Sequence, residues 1–177
     1  MGEKARLSPI LIKYQGLFDF DLLYATMVDW AKNYGYMWHE KTYKHKVPSP
    51  MGAEQEIDWE IEKKVTEYVK YTIKFKMHIF DLTEIEVDNN GKKKSLSNGR
   101  MLIKLEGIVE ADYDGIFAHG SLAQKLGAWY NKLWGKNFEN YYIDGLWYRM
   151  WNLQALVKKM LDMQTKKYAY KNYLGEG

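Results

Sequence analysis

The amino-acid sequence predicts an α+β domain. The expected shape is a curved antiparallel β-sheet packed against a long C-terminal helix, with one N-terminal helix and one additional helix before the last. Three observations predict it. First, Glu56–Phe80 alternates apolar and polar residues with period two: Ile57, Trp59, Ile61, Val65, Val69, Tyr71, Ile73, Phe75, Met77 and Ile79 fall on one side. Such alternation marks antiparallel strands with one face on a core and one in water. Second, two stretches, 20–34 and 144–165, carry apolar residues at the 3/4 spacing of core-facing helices. Third, the helical patterns bracket the strand patterns, the order expected of layered α+β domains.

Ile10–Tyr14 reads as a short edge strand after Pro9, broken by Gly16. Asp19 or Asp21 can cap a helix running to Tyr34, with Phe20, Leu23, Tyr24, Met27, Ala31 and Tyr34 as its stripe. Gly35 suits a left-handed stop. Tyr36–Val47 is a strand, and 48–52 (PSPMG) a loop.

One strand over 56–80 would reach about 80 Å, too long for a small domain. The charges place a turn. Folding the run about Thr66 sets Glu62 against Lys70, Asp58 against Lys74 and Glu56 against Lys76, with Trp59 opposite Ile73 and Ile57 opposite Phe75. Such cross-strand pairs contribute about 0.2–1 kcal/mol each. The alternative is a single bent strand whose acidic half pairs elsewhere.

After Phe80 the apolar phase slips, which predicts a β-bulge near Thr83–Glu84. Asp88–Gly91 (DNNG) is a turn signal, and Asn98-Gly99 a second one. Arg100–Tyr113 is the last long strand, with Met101, Ile103, Leu105, Val109 and Ala111 on one side. Ser121–Gln124 is a capping box for a helix carrying Leu122, Leu126, Trp129 and Leu133, ended by Gly135. Asp144 caps the longest helix, to about Thr165, whose arc of Leu146, Met150, Leu153, Val157, Met160 and Leu161 widens to Trp147 and Trp151. A single domain over 1–165 and a frayed tail over 166–177 follow.

Composition narrows the function. The 177 residues include 15 Tyr and 7 Trp, too aromatic for a disordered chain. The net charge of +3 is far from that of an obligate nucleic-acid binder. With no cysteine, thiol catalysis, disulfides and thiolate-bound zinc are excluded. No signal-peptide pattern and no run of 18 apolar residues occurs, so a cytoplasmic protein without a transmembrane segment is expected.

The order of elements resembles the helix-grip architecture of START and Bet v1-like domains, in which a curved sheet wraps a long terminal helix around an apolar cavity. The chain differs in having one initial helix instead of two and an extra helix before the last. Separately, 14–24 (YQGLFDFDLLY), 41–57 (KTYKHKVPSPMGAEQEI), 63–71 (KKVTEYVKY) and 81–94 (DLTEIEVDNNGKKK) resemble stretches of uncharacterised archaeal hypothetical proteins. That resemblance implies no activity and no site.

No nucleophile elbow, phosphate loop or dinucleotide fingerprint occurs, and no catalytic residue or cofactor is indicated. His39 and His45 would share a strand face about 20 Å apart, too far for one metal ion, and His78 and His119 read as surface residues, so no metal is expected. Glu54, Glu56, Asp58, Glu60 and Glu62 read as a solvated strand face. Three readings of function remain. The leading one is a non-enzymatic binding domain with an apolar pocket for a hydrophobic or aromatic small molecule. The wide arc of the last helix and the facing strand supply its lining: Trp59, Tyr71, Ile73, Phe75, Met77, Trp147, Met150 and Trp151. The second is a structural or interaction protein, an assembly subunit or accessory factor, using aromatic surface and sheet edge to bind a protein partner or its own copies. The third is a nucleic-acid- or ribosome-associated factor using Lys70, Lys74, Lys76, Lys92, Lys93 and Lys94.

Overall fold

The structure, a computed structural model, describes residues 4–49, 52–89, 92–115 and 139–163. Its elements are β1 (Lys4–Arg6), β2 (Ile10–Phe18), α1 (Phe20–Asn33), β3 (Met37–Ser49), β4 (Gly52–Lys64), β5 (Val69–Asn89), β6 (Lys92–Ala111), a π-helical turn (Glu139–Ile143) and α2 (Asp144–Met160). The α+β class is as expected: one six-stranded antiparallel sheet, one long C-terminal helix and one other helix. The additional helix expected from Ser121 lies outside the described residues, as do the tail and the tip of the Asp88–Gly91 turn.

The sheet order is β1-β6-β5-β4-β3, with β2 also pairing β6. β1 and β2 are one edge strand with an interruption. Arg6 pairs Ile108 and Ile10 pairs Leu105, so 7–9 form an irregularity of one extra residue. Pro9 lies in it, where its missing N–H costs no ladder bond. The strand does not break at Gly16. There φ is 143°, and pairing continues through Gly16↔Gly99 to Phe18↔Ser97.

The α1 N-terminus is capped as expected: Asp19 accepts a hydrogen bond from the Leu22 N–H at 2.9 Å. Gly35, with φ 70°, ends the helix. Leu23, Met27, Val28, Trp30 and Ala31 are buried. The last helix starts differently from the expectation. Asp144 is its first residue, not its cap, and Ile143 precedes it in helical conformation. Asp144 still complements the helix dipole from the first turn. The helix ends at Met160, ahead of the expected Thr165, where Asp162 turns left-handed at φ 51°.

The hairpin exists, but its register is shifted by two residues. Trp59 pairs Phe75, Ile57 pairs Met77, Asp58 pairs Lys76, Glu60 pairs Lys74 and Glu62 pairs Thr72. The turn decides this. The Thr66 hydroxyl accepts from the Tyr68 and Val69 N–H groups, and Val65 donates to the Val69 carbonyl at 2.9 Å. That places Glu67 at the centre instead of Thr66. An even shift keeps every side chain on its expected face.

Two further expectations change. The bulge sits at Asp81–Leu82, two residues before the expected place, between the pairs Phe80↔Arg100 and Thr83↔Asn98. Asp81 takes φ 55° there. Asn98-Gly99 is not a turn; it lies within β6 opposite that bulge, because the Phe80 carbonyl oxygen lies 2.9 Å from where a Gly99 Cβ would be. On the other side Gly52, at φ 121°, presses on the Asp81 backbone, 2.6 Å from its would-be Cβ. Glycines 99 and 52 thus let β4, β5 and β6 pass the bulge closely.

The core lies between one sheet face and the two helices. Ile57, Ile61, Ile73, Phe75, Ile79, Ile103, Leu105 and Val109 are at most 1% exposed and share one core cluster with Leu146, Met150, Leu153 and Val157 of α2. Gly107 lets α2 come down onto β6: a Cβ there would lie 2.5 Å from Met150 Sδ and 3.2 Å from Leu146 Cδ2. α1 and α2 are tied by Trp30 Nε1 donating to Asn152 Oδ1 at 2.7 Å and by Arg149 over the Tyr34 ring at 4.4 Å.

Candidate functional site

Alternation along β4 and β5 sends one set of side chains into the core and the other to the outer face, and the expected site residues divide accordingly. Trp59, Ile73, Phe75, Met77 and Met150 are at most 2% exposed, and Tyr71 is 7%. They do not all meet one helix. Trp59 stacks on Phe75 at 4.9 Å and meets Tyr24 of α1 edge-on at 4.8 Å and Trp38 of β3 at 5.3 Å. Met150 is seated against Gly107. The Tyr71 hydroxyl donates to the Tyr142 carbonyl at 2.8 Å, and burial pushes its pKa up. Trp147 is half-buried and Trp151 is 50% exposed.

These two tryptophans belong to an aromatic flank of α2. Trp147 and Trp151 lie 5.5 Å apart and Tyr148 meets Trp151 edge-on at 5.7 Å, while Tyr141, in the turn before the helix, meets Tyr142 edge-on at 5.2 Å. Tyr141 and Tyr148 are 72% and 66% exposed. Arg149 and Asn152 bind α1 from the neighbouring face of the helix, with Asn152 one turn on from Tyr148. Helical spacing alone did not separate this flank from the sheet-facing arc, because aromatic residues suit both.

On β5 the expected lysine face lies among carboxylates. Lys70 contacts Glu62 at 3.3 Å and Glu110 at 3.5 Å, and Lys4 reaches Glu110 at 2.9 Å. Burial works against the Lys70 charge, yet Glu62 and Glu110 hold its pKa above the ordinary value. Lys76 lies 3.9 Å from Asp58, Lys104 pairs with Glu106, and the register sets Lys74 between Glu60 and Glu106. Lys92, Lys93 and Lys94 begin β6, opposite Asn89, Asp88 and Val87.

Near the bulge the outer face is more varied. His78 stacks on Phe80 with ring centroids 3.7 Å apart, and Arg100 lies over the same ring at 5.6 Å while binding Asp81 at 2.6 Å. Lys13, Gln15, Phe80, Arg100 and Leu102 border an open concavity of about 370 Å³. Glu54 and Glu56 bind Lys46 at 3.0 and 2.8 Å, which holds both carboxyls below the usual carboxylate range.

β3 corrects one histidine expectation. An irregularity between Glu40 and Thr42 sets His39 opposite Glu60 and His45 opposite Gln55, so the two histidines take opposite faces. The same irregularity brings Glu40 beneath α1, where its carboxylate accepts from Tyr24 Oη at 2.9 Å and Trp59 Nε1 at 3.2 Å. Burial, and then the bond to Glu40, push the Tyr24 hydroxyl up to about 12. Period-two reading gave no signal for this contact, because the extra residue reverses the faces of β3. Among the described residues no helix is long and apolar enough to cross a membrane. No protein-family model and no curated protein matches this sequence.

Proposed function

We propose that this chain is an interaction protein, an assembly subunit that docks another protein chain or a second copy of itself through the aromatic flank of α2. One observation carries the reading: Tyr148 and Trp151 expose 66% and 50% of their surface while in edge-on contact on α2, and Tyr141 in the turn before it exposes 72%. Trp, Tyr and Arg dominate the binding energy of protein interfaces, and clustered exposed aromatics mark such surfaces. The pairing of the outer-face lysines speaks for this reading over a nucleic-acid groove. The seating of Met150 on Gly107 and the stacking of Trp59 on Phe75 speak for it over an apolar ligand pocket. The helix-grip likeness concerns the arrangement of sheet and terminal helix and is compatible with either use of that helix.

The test is light scattering on the purified chain and on a Tyr148→Ser/Trp151→Ser variant. The native chain is expected above its 21.0 kDa monomer mass, as an oligomer or with a retained protein partner, and the variant at that mass. Losing one central hot spot costs about 2 kcal/mol or more, roughly 30-fold in affinity. A native chain that is monomeric at every concentration and retains no protein would refute the proposal.

A further inference from the structure

A second site follows from the register of β4 and β5. Glu54 and Glu56 are two residues apart on β4 and therefore share its outer face. The pair Glu56↔His78 sets the imidazole beside them on β5. His78 Nε2 lies 3.7 Å from Glu54 Oε2 and 3.9 Å from Glu56 Oε1, and the ligand atoms of all three residues fall within 4.8 Å of one another. Zinc binds imidazole nitrogen and carboxylate oxygen at about 2.0–2.2 Å, so two ligands on a tetrahedral ion are about 3.4 Å apart. Small side-chain movements would close the three groups on one ion.

We propose that Glu54, Glu56 and His78 bind a divalent first-row metal ion, with Zn²⁺ the best chemical match. Two features of the cluster point to a ligand. The His78 side chain is 31% exposed, but its Nε2 atom is shielded from solvent and has no hydrogen-bond partner among the described residues, although buried polar atoms are normally paired. Its ring is held by stacking on Phe80, so the nitrogen is aimed at the carboxylates without a bond to them. The site also already holds a cation. Lys46 Nζ sits on Glu54 Oε2 and Glu56 Oε1, the same two oxygens that face Nε2. Lys46 comes from the edge strand β3 and its side chain is 53% exposed, so it can swing into solvent and yield its place. Lys46 is then the competitor that sets the affinity. Three protein ligands leave a fourth position for water, as in open zinc sites.

The experiment is calorimetric titration of chelator-treated full-length protein with ZnCl₂, with thermal unfolding as a second readout. The native chain takes up one ion whose binding raises Tm. His78→Ala, and separately Glu54→Gln/Glu56→Gln, weaken binding at least about tenfold, since even loss of an outer-shell partner costs that much. Lys46→Met tightens it, and His39→Ala/His45→Ala leaves it unchanged. The two glutamates are partly exposed, so their variant keeps the test open if His78→Ala does not fold. The proposal is overturned if native and His78→Ala proteins titrate alike. It is equally overturned if neither the native chain nor Lys46→Met binds zinc below about 1 mM, a level at which association is only about −4 kcal/mol.

Discussion

The contact between α2 and β6 can be tested by adding one methyl group. A Cβ on residue 107 would lie 2.5 Å from Met150 Sδ, with Leu146 Cδ2 at 3.2 Å and Leu7 Cδ2 at 3.3 Å. Ordinary carbon contacts lie at about 3.5–4.0 Å, so more than 1 Å must be recovered around a side chain that is 0% exposed. Overpacking of this kind costs about 1–3 kcal/mol. Replacing a mid-strand glycine returns about 0.5–1 kcal/mol of backbone entropy. Gly107→Ala should therefore destabilise by about 1–2 kcal/mol and lower Tm by roughly 2–8 °C. Met150→Ala alone should cost about 2–5 kcal/mol through the cavity it leaves. Combined, the sign reverses: with the Met150 side chain truncated, the methyl added at position 107 enters vacated space, and Gly107→Ala becomes neutral or stabilising. Urea unfolding of the four proteins measures the coupling, expected at about 1–3 kcal/mol. If Gly107→Ala has the same effect in both backgrounds, within about 0.5 kcal/mol, α2 is not seated on Gly107 and a gap must separate the layers there.

Gly52→Ala should be the costlier glycine change, by about 2–5 kcal/mol, because φ 121° is strained for any L side chain and its Cβ would meet the Asp81 backbone at 2.6 Å. A urea midpoint equal to that of native protein would refute this. Acid should destabilise the fold, because interactions with lysines hold Glu54, Glu56, Glu106 and Glu110 below the usual carboxylate range. Groups depressed on folding contribute stability above the unfolded value, about 4.3, and lose it as pH falls through the folded values. Urea midpoints should drop from about pH 5 downward, and a midpoint unchanged at about pH 3 would contradict the assignment. On the alkaline side, burial pushes Tyr36 up to about 12, and burial with the Glu40 bond does the same for Tyr24. Their stabilising effect is full below about pH 10, the unfolded tyrosine value, and is lost between there and about pH 12.

The elements legible in the sequence were those with a long, unbroken period. Alternation identified the apolar buried face over 57–61 and 69–79, because strand faces depend on parity alone; Val65 falls in the turn instead, and Thr72 of the polar set is buried. Register depends on more. The acidic and basic residues along this hairpin fit two registers almost equally: Glu62 and Lys70 touch at 3.3 Å although they are diagonal and not directly opposed. The choice falls to the Thr66 hydroxyl in a turn with no Gly or Pro to mark it. Glycine was ambiguous for a related reason. Gly16 and Gly99 look like breaks, yet both lie inside strands; lacking a Cβ serves close backbone approach at Gly99 and a φ of 143° at Gly16.

The two-residue shift also bears on the zinc proposal. Folding about Thr66 would make Lys76 the direct partner of Glu56, a simple ion pair on a solvated face. The observed register gives Lys76 to Asp58 and sets His78 opposite Glu56 instead. The irregularity between Ala53 and Gln55, facing the Asp81 bulge, leaves Glu54 without a direct partner on β5, so its carboxylate can turn toward the imidazole. A metal-ligand set of this kind has no motif spacing. His78 is far along the chain from both glutamates, and the three meet only because a turn and a bulge fix how two strands lie side by side. If zinc binds as proposed, the same triad becomes a probe of the register, since a shift of two residues would return a lysine to the place of the histidine.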